Sequence, residues 1–334
     1  RRLLTILASL SLAVGLGACG GDDDGDDGGG DGGGDFRVAF ILPGAVTDQG
    51  YNADGERAAN QIRDELGAEV EVTESVQIPN QTDVYRQYAN DGFNLVIGWG
   101  GQFTDGAVTA AEEFPDTQFL VVNSNAENGS NLSSMDTNIE QWQFFAGYLA
   151  AKLSNSGTVG YVGGQCFEAT AANVNGTEQG AKYADPKVKF LATFTDDFED
   201  PTTAQQTAQS LIDQGADVLT GNLNNAFAGV YEAARENGNL PVITEWVDNS
   251  DAAPEVIASS VLKSQARFVT ELAKKAESGD LGGKFYLYPL PEDWGAIVSD
   301  TELLPDDLYQ EALDVQQQVA SGEIEVKRDV SCPS

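Results

Sequence analysis

The sequence predicts an α/β chain folded as two doubly wound lobes of parallel sheet, and three observations carry that prediction. Short apolar or β-branched runs alternate with amphipathic helical stretches from residue 36 onward. A polar, turn-rich segment at 124–138 interrupts the rhythm, which then starts again. The last third departs from simple alternation, as a backbone that recrosses between two lobes does. No residue-level repeat relates the two copies, so the repetition is one of architecture.

In the first copy, 36–42 reads as a strand, 50–66 as an amphipathic helix and 68–74 as a strand. Helix 82–91, strand 93–98, helix 103–114 and strand 118–123 follow, with Pro115 ending the last helix. In the second copy the helices are 140–153, 169–183, 201–214 and 227–237, and the strands 158–163, 187–193, 217–221 and 241–245. The tail adds strand 256–261, helix 264–278, strand 284–290, helix 306–320 and a short strand at 324–327. The expected lobes are discontinuous: 36–137 with 260–290, and 138–259 with 291–334.

Composition narrows the function. The 53 acidic and 18 basic residues leave a formal charge of -35, which repels nucleic acid and anionic membrane surfaces. Residues 1–35 contribute -5 and the body the remaining -30, a surface that favours solubility and suits a high-salt habitat equally well. Histidine is absent, so neither a Ser-His or Cys-His nucleophile nor an imidazole metal site can be built. There is no P-loop and no G-x-S-x-G, and Val159–Gly164 lacks the G-x-G-x-x-G spacing of a dinucleotide site. A glycosidase working with two carboxylates alone remains compatible with the composition, although a doubly wound scaffold disfavours it.

Residues 1–19 read as a secretory signal: Arg1 and Arg2, an apolar stretch from Leu3 to Leu16, then Gly17, Ala18 and Cys19. Leu16-Gly17-Ala18-Cys19 resembles a bacterial lipobox, so Cys19 is the expected site of lipidation. Residues 20–35 hold only glycine and aspartate and are expected to form an extended tether, since they lack the ligand spacing of a calcium loop. Cys166 and Cys332 remain, either as a disulfide worth a few kcal/mol in an oxidising compartment or as a buried thiol and a terminal one.

Ligands of open parallel sheets bind beyond the carboxyl ends of the strands. Those segments hold Pro43, Gly44, Asp48, Tyr51 and Asn52, then Trp99, Gln102 and Asp105, in the first copy. In the second they hold Gly163, Gly164 and Gln165, then Phe198 and Asp200, then Asn222, Asn224 and Asn225, then Glu245, Trp246 and Asp248. Carboxylates and amides hydrogen-bond hydroxyl and N–H groups, while rings stack on flat ligands, so the set suits a heterocycle bearing a sugar or a bare sugar. Each residue singly also has a structural use, as turn glycine, core ring or helix cap.

Several segments together resemble the basic membrane protein family of lipoproteins, the purine nucleoside-binding proteins of ABC importers. They are Asp48–Asn52 (D-x-x-F-N, with Tyr51 for Phe), Leu95–Asp105, Phe114-Pro115-Asp116, Phe144–Leu153 followed by Gly157–Gly164, Gly215–Val218 and Ser259–Lys263. The resemblance implies a type I periplasmic-binding-protein fold: two doubly wound parallel-sheet lobes joined by a three-strand hinge. It also implies that Tyr51 and Phe198 stack on a base contacted by Asn52 and Asp105, with Asp248 accepting from ribose hydroxyls and Lys263 as a pocket cation. Asp48 and Trp99 complete the expected ligand set. The chain departs from the family at Trp246-Val247-Asp248, where D-x-D stands, and at Asn222-Leu223-Asn224-Asn225, where glycines stand.

The expected protein is a monomeric, extracytoplasmic solute-binding lipoprotein held at the cell membrane. It needs no cofactor or metal, performs no catalysis, and closes about a hinge on a purine nucleoside to deliver it to an ABC permease and its ATPase. The alternatives are a sugar or other small polar solute, or a sensory or adhesive lipoprotein on the same fold.

Overall fold

A computed structural model describes residues 36–48 and 50–333. The signal, Cys19 and the tether lie outside the described residues. Among those described, no helix is long and apolar enough to cross a membrane.

The first sheet is built from β1 (Arg37–Ile41), β2 (Glu69–Thr73), β3 (Leu95–Trp99), β4 (Gln118–Val122), β5 (Leu132–Thr137) and β11 (Phe285–Tyr288). Its order is β11-β5-β4-β3-β1-β2, parallel throughout. The second sheet holds β6 (Thr158–Gly163), β7 (Lys189–Phe194), β8 (Val218–Asn222), β9 (Val242–Trp246) and β10 (Ile257–Leu262), in the order β10-β9-β8-β6-β7, again parallel. Both orders reverse beside their first strand, so each lobe has a switch point there.

Helices α1 (Tyr51–Leu66), α2 (Gln81–Asn90), α3 (Thr104–Glu113) and α8 (Ala266–Glu277) cover the first sheet, α1 packing with α8 and α2 with α3. Around the second lie α4 (Ile139–Leu153), α5 (Glu168–Ala184), α6 (Pro201–Asp213), α7 (Phe227–Glu236) and α9 (Asp306–Ala320). Covered on both faces, β3 is apolar without alternation, all five of its residues buried. One apolar cluster runs continuously through both lobes, while separate clusters fill the opposite face of each sheet.

The chain passes between the lobes three times: from β5 into α4, from β10 into α8, and from β11 through residues 289–297 to Val298, which bridges Val261. A knot of rings marks these crossings. Trp142 of α4 meets Trp294 edge-on at 5.8 Å, and Phe268 of α8 stacks on Tyr288 at 4.5 Å.

Two expectations about elements are corrected. Residues 132–137, read as part of a polar turn region, form strand β5 with all six residues buried. Residues 324–327, read as a strand, are irregular and pair with no sheet edge; Ile324 N–H donates to the Gln318 carbonyl at 2.9 Å, and Gln179 of α5 accepts from the Lys327 N–H and donates to its carbonyl, both at 2.9 Å. Remaining differences are shifts of one or two residues at element ends.

Candidate functional site: a cleft between two lobes

The strand ends of both lobes face a cavity of about 300 Å³. The first lobe contributes Pro43, Gly44, Tyr51, Gln102 and Asn123, and the second Gln165, Phe167, Asn173, Phe198, Asn222 and Trp246. A wider opening of about 530 Å³ adjoins it, rimmed by Gln77, Ile78 and Phe167. Among the described residues, the cavity wall holds the carboxylates Asp196, Asp197 and Glu199 but neither lysine nor arginine. Such a site favours neutral or cationic solutes over phosphorylated ones.

Local chemistry aims each wall. Asp48 caps α1, its carboxylate accepting from the backbone N–H of Gly50 at 2.9 Å, Asn52 at 2.9 Å and Ala53 at 3.0 Å. That cap fixes the first helical residue, Tyr51, at the cleft, where its hydroxyl donates to Asn123 Oδ1 at 2.7 Å. Burial and the nearby Asp136, Asp54 and Asp48 push the Tyr51 hydroxyl well above its ordinary value, so it stays a donor. Asn123 in turn donates to Asp136 at 3.1 Å, and Asp136 takes a charged bond from Arg328 at 2.5 Å. In the second lobe Phe198 lies directly over Gly164, where a Cβ would fall 2.3 Å from the ring.

Three non-glycine residues of the wall stand at or just beyond strand ends in the left-handed region: Asn123 (φ 57°), Asp196 (φ 63°) and Trp246 (φ 77°). Asn and Asp tolerate this conformation, whereas a tryptophan there stores about 1–3 kcal/mol of strain that the surroundings must hold in place. Trp246 is held by the Tyr51 ring, 5.2 Å away across the interlobe gap, and by the Lys263 ammonium, 4.1 Å from its centroid. Strain of this kind gathers where a side chain must be aimed.

Behind Trp246 a buried polar hub surrounds Glu245. Its carboxylate accepts from Lys263 Nζ at 2.5 Å, Gln143 Nε2 at 2.5 Å, Asn173 Nδ2 at 3.2 Å and Asn222 Nδ2. Desolvation lowers the Lys263 ammonium from its ordinary value while Glu245 opposes the change. Asn173 and Asn222 also face the cavity, so the hub orients two amides of the wall.

Of the expected ligand residues, the structure brings Tyr51 and Phe198 to the cavity. Asn52 is fully buried and turned inward, accepting from Gly44 N–H at 3.0 Å and donating to Asp48 at 2.7 Å. Trp99 lies beneath Tyr51 and donates to its carbonyl at 2.9 Å. Lys263 is sealed beneath Trp246, and Asp48 is occupied as a cap. Asp105 and Asp248 point to solvent outside the wall; the Asp248 carboxylate closes its own turn by accepting from Ser250 N–H at 3.0 Å. Asn123 and Asn173 line the cavity but are absent from the expected set. Strand-end position marks Asn123, whereas Asn173, in mid-helix, carries no such signal.

Cys166 and Cys332 are joined in a disulfide with Cα atoms 6.1 Å apart. It ties the C-terminal segment to the loop whose Gln165 and Phe167 line the cavity.

Solved structures share this architecture. An ABC transporter system solute-binding protein from Conexibacter woesei DSM 14684 superposes with a TM-score of 0.67 at 24% identity, over 87% of this chain and 98% of that one. A solute-binding protein of the same system type from Aeropyrum pernix K1 gives 0.75 at 19% identity, over 88% and 94%. By sequence, Basic membrane protein D of Borreliella burgdorferi (strain JD1) is 28% identical over 321 residues, spanning 93% of this chain and 92% of that protein. Residues 36–329, the whole two-lobed body with its cleft, match the Bmp family, described as ABC transporter substrate-binding protein PnrA-like, and the chain belongs to that family.

Proposed function

We propose that this protein captures a neutral purine nucleoside in the interlobe cleft and delivers it to an ABC permease energised by a separate ATPase. One observation carries the reading. Rings from both lobes, Tyr51, Phe198 and Trp246, share a cavity with the amides of Gln102, Asn123, Asn173 and Asn222 and with no cationic side chain among the described residues. The rings supply stacking faces for a flat base, and the amides donate to and accept from base edges and sugar hydroxyls. Because the wall is divided between lobes, a bound ligand bridges them and favours the closed arrangement, the basis of hinge closure. Lipid on Cys19 would hold the protein at the extracytoplasmic face of the membrane.

The test is thermal stabilisation of the lipid-free body by adenosine, guanosine and inosine, against ribose, arabinose and adenosine monophosphate. Nucleosides are expected to raise the melting temperature, at 100 times Kd by the equivalent of about 2.7 kcal/mol, and the monophosphate to have no effect. Phe198→Ala should weaken nucleoside binding by about 1–3 kcal/mol, from roughly fivefold to roughly 150-fold. Stabilisation by free sugars alone would transfer the assignment to a sugar, and stabilisation by none would refute it.

A further inference from the structure

Behind the ligand cavity lies a second one of about 220 Å³, also lined from both lobes, by Asp48 and Gly50 on one side and Phe227, Tyr231 and Glu245 on the other. Among the described residues, only Asn224 and Trp246 belong to both walls. The Trp246 ring is held from three directions: by Tyr51, by the ammonium of Lys263, and by a left-handed backbone that a tryptophan seldom adopts. The rear cavity reaches the charged hub through Glu245, whereas the front cavity meets only the hub's amides, Asn173 and Asn222.

We propose that Trp246 is a specificity-determining partition, which closes the back of the ligand cleft and keeps the Glu245–Lys263 pair from the solute. The identity of that solute rests on the nucleoside reading above; the partition itself does not. A solute contained in the front cavity is accepted, and one extended toward Trp246 is refused, because the ring cannot withdraw without giving up Tyr51 and exposing a buried ammonium. The opposite side differs: there the cavity opens at the rim of Gln77, Ile78 and Phe167, so an extension in that direction has room.

Trp246→Gly tests the partition, since glycine adopts the left-handed backbone without strain, with Trp246→Phe as the ring-preserving control. The first readout needs no ligand: acetylation of Lys263 by acetic anhydride, followed by peptide mass spectrometry. Lys263 should be protected in the parent protein and in Trp246→Phe, and labelled at least tenfold faster in folded Trp246→Gly. The second compares adenosine with N6-benzyladenosine and 5′-O-benzoyladenosine, extended at opposite ends. The parent should bind one of the two and refuse the other, and Trp246→Gly should bind the refused compound at least tenfold more tightly. Unchanged Lys263 labelling in folded Trp246→Gly, or parent protein binding both extended nucleosides as tightly as adenosine, would overturn the partition. Absence of adenosine binding to any variant would instead defeat the nucleoside reading, and the labelling result would still decide the partition.

Discussion

Glu245 accepts from one cation and three amides while only 3% exposed, and its energetics are those of a buried charge whose shell is complete. Removing one partner of such a pair typically costs about 3–5 kcal/mol, because the other charge stays buried without compensation. Lys263→Met is therefore expected to destabilise the fold by about that amount in urea denaturation. Glu245→Gln combined with Lys263→Met should cost clearly less than the sum of the single changes, whereas additive costs would show the pair to be uncoupled. At this scale the sequence revealed where polar and aromatic residues collect but not which way they point. Asp48, Asn52 and Trp99 stand at or beyond strand ends, in the segments where ligand residues gather, yet each is consumed by hydrogen bonds within the first lobe. Capping and ligand contact use the same residue types, so spacing alone does not separate them.

The pairing of α4 with α5 shows how an element is placed by what its residues lack. A Cβ on Gly180 would fall 1.8 Å from the Phe144 carbonyl oxygen, and one on Gly147 would fall 1.7 Å from that of Thr177. The two backbones are therefore nearly in contact, and no side chain can yield to admit a methyl group. Gly180→Ala should destabilise at the upper end of the overpacking range, about 3 kcal/mol, while Gly295→Ala, with open space around it, should shift the urea midpoint little. Most elements were legible because their apolar periodicity follows burial. Strand β5 was not: Leu132-Ser133-Ser134-Met135-Asp136-Thr137 carries little apolar signal, although it lies between β4 and β11. Two of its polar residues find side-chain partners inside the fold, Asp136 accepting from Asn123 and Arg328 and Ser133 from Lys284 N–H at 3.2 Å. The reverse error, at 324–327, arose because alternation in an extended segment does not reveal whether a sheet edge is free to receive it.

Across the whole molecule the crossing from β5 to α4 gathers buried charge where the chain passes between the lobes. Glu140, 1% exposed in the first turn of α4, accepts from Arg328 at 3.3 Å, yet loss of hydration pushes its carboxyl up to about 7 from an ordinary 4.5. Asp136 is raised for the same reason, against the pull of Arg328. Between pH 4.5 and 7 the folded state thus retains a proton that the unfolded chain has released, so stability should fall as pH rises through that window. Carboxylates held low by hydrogen bonds, such as Asp200 and Glu113, act the other way, but only below that range. Unfolding free energies from urea titrations should decline from pH 5 to 7, and Glu140→Gln should flatten the decline; an unchanged slope would remove Glu140 as its source. The sequence by itself determined the two-lobed α/β class and the strand ends as the segments that line the cleft, because burial periodicity and strand-to-helix order are local properties of the chain. The cavity wall, the Glu245 hub and the left-handed Trp246 were decided only by tertiary structure. They join residues far apart in the chain through contacts whose direction depends on how two sheets face one another, and no local pattern encodes that.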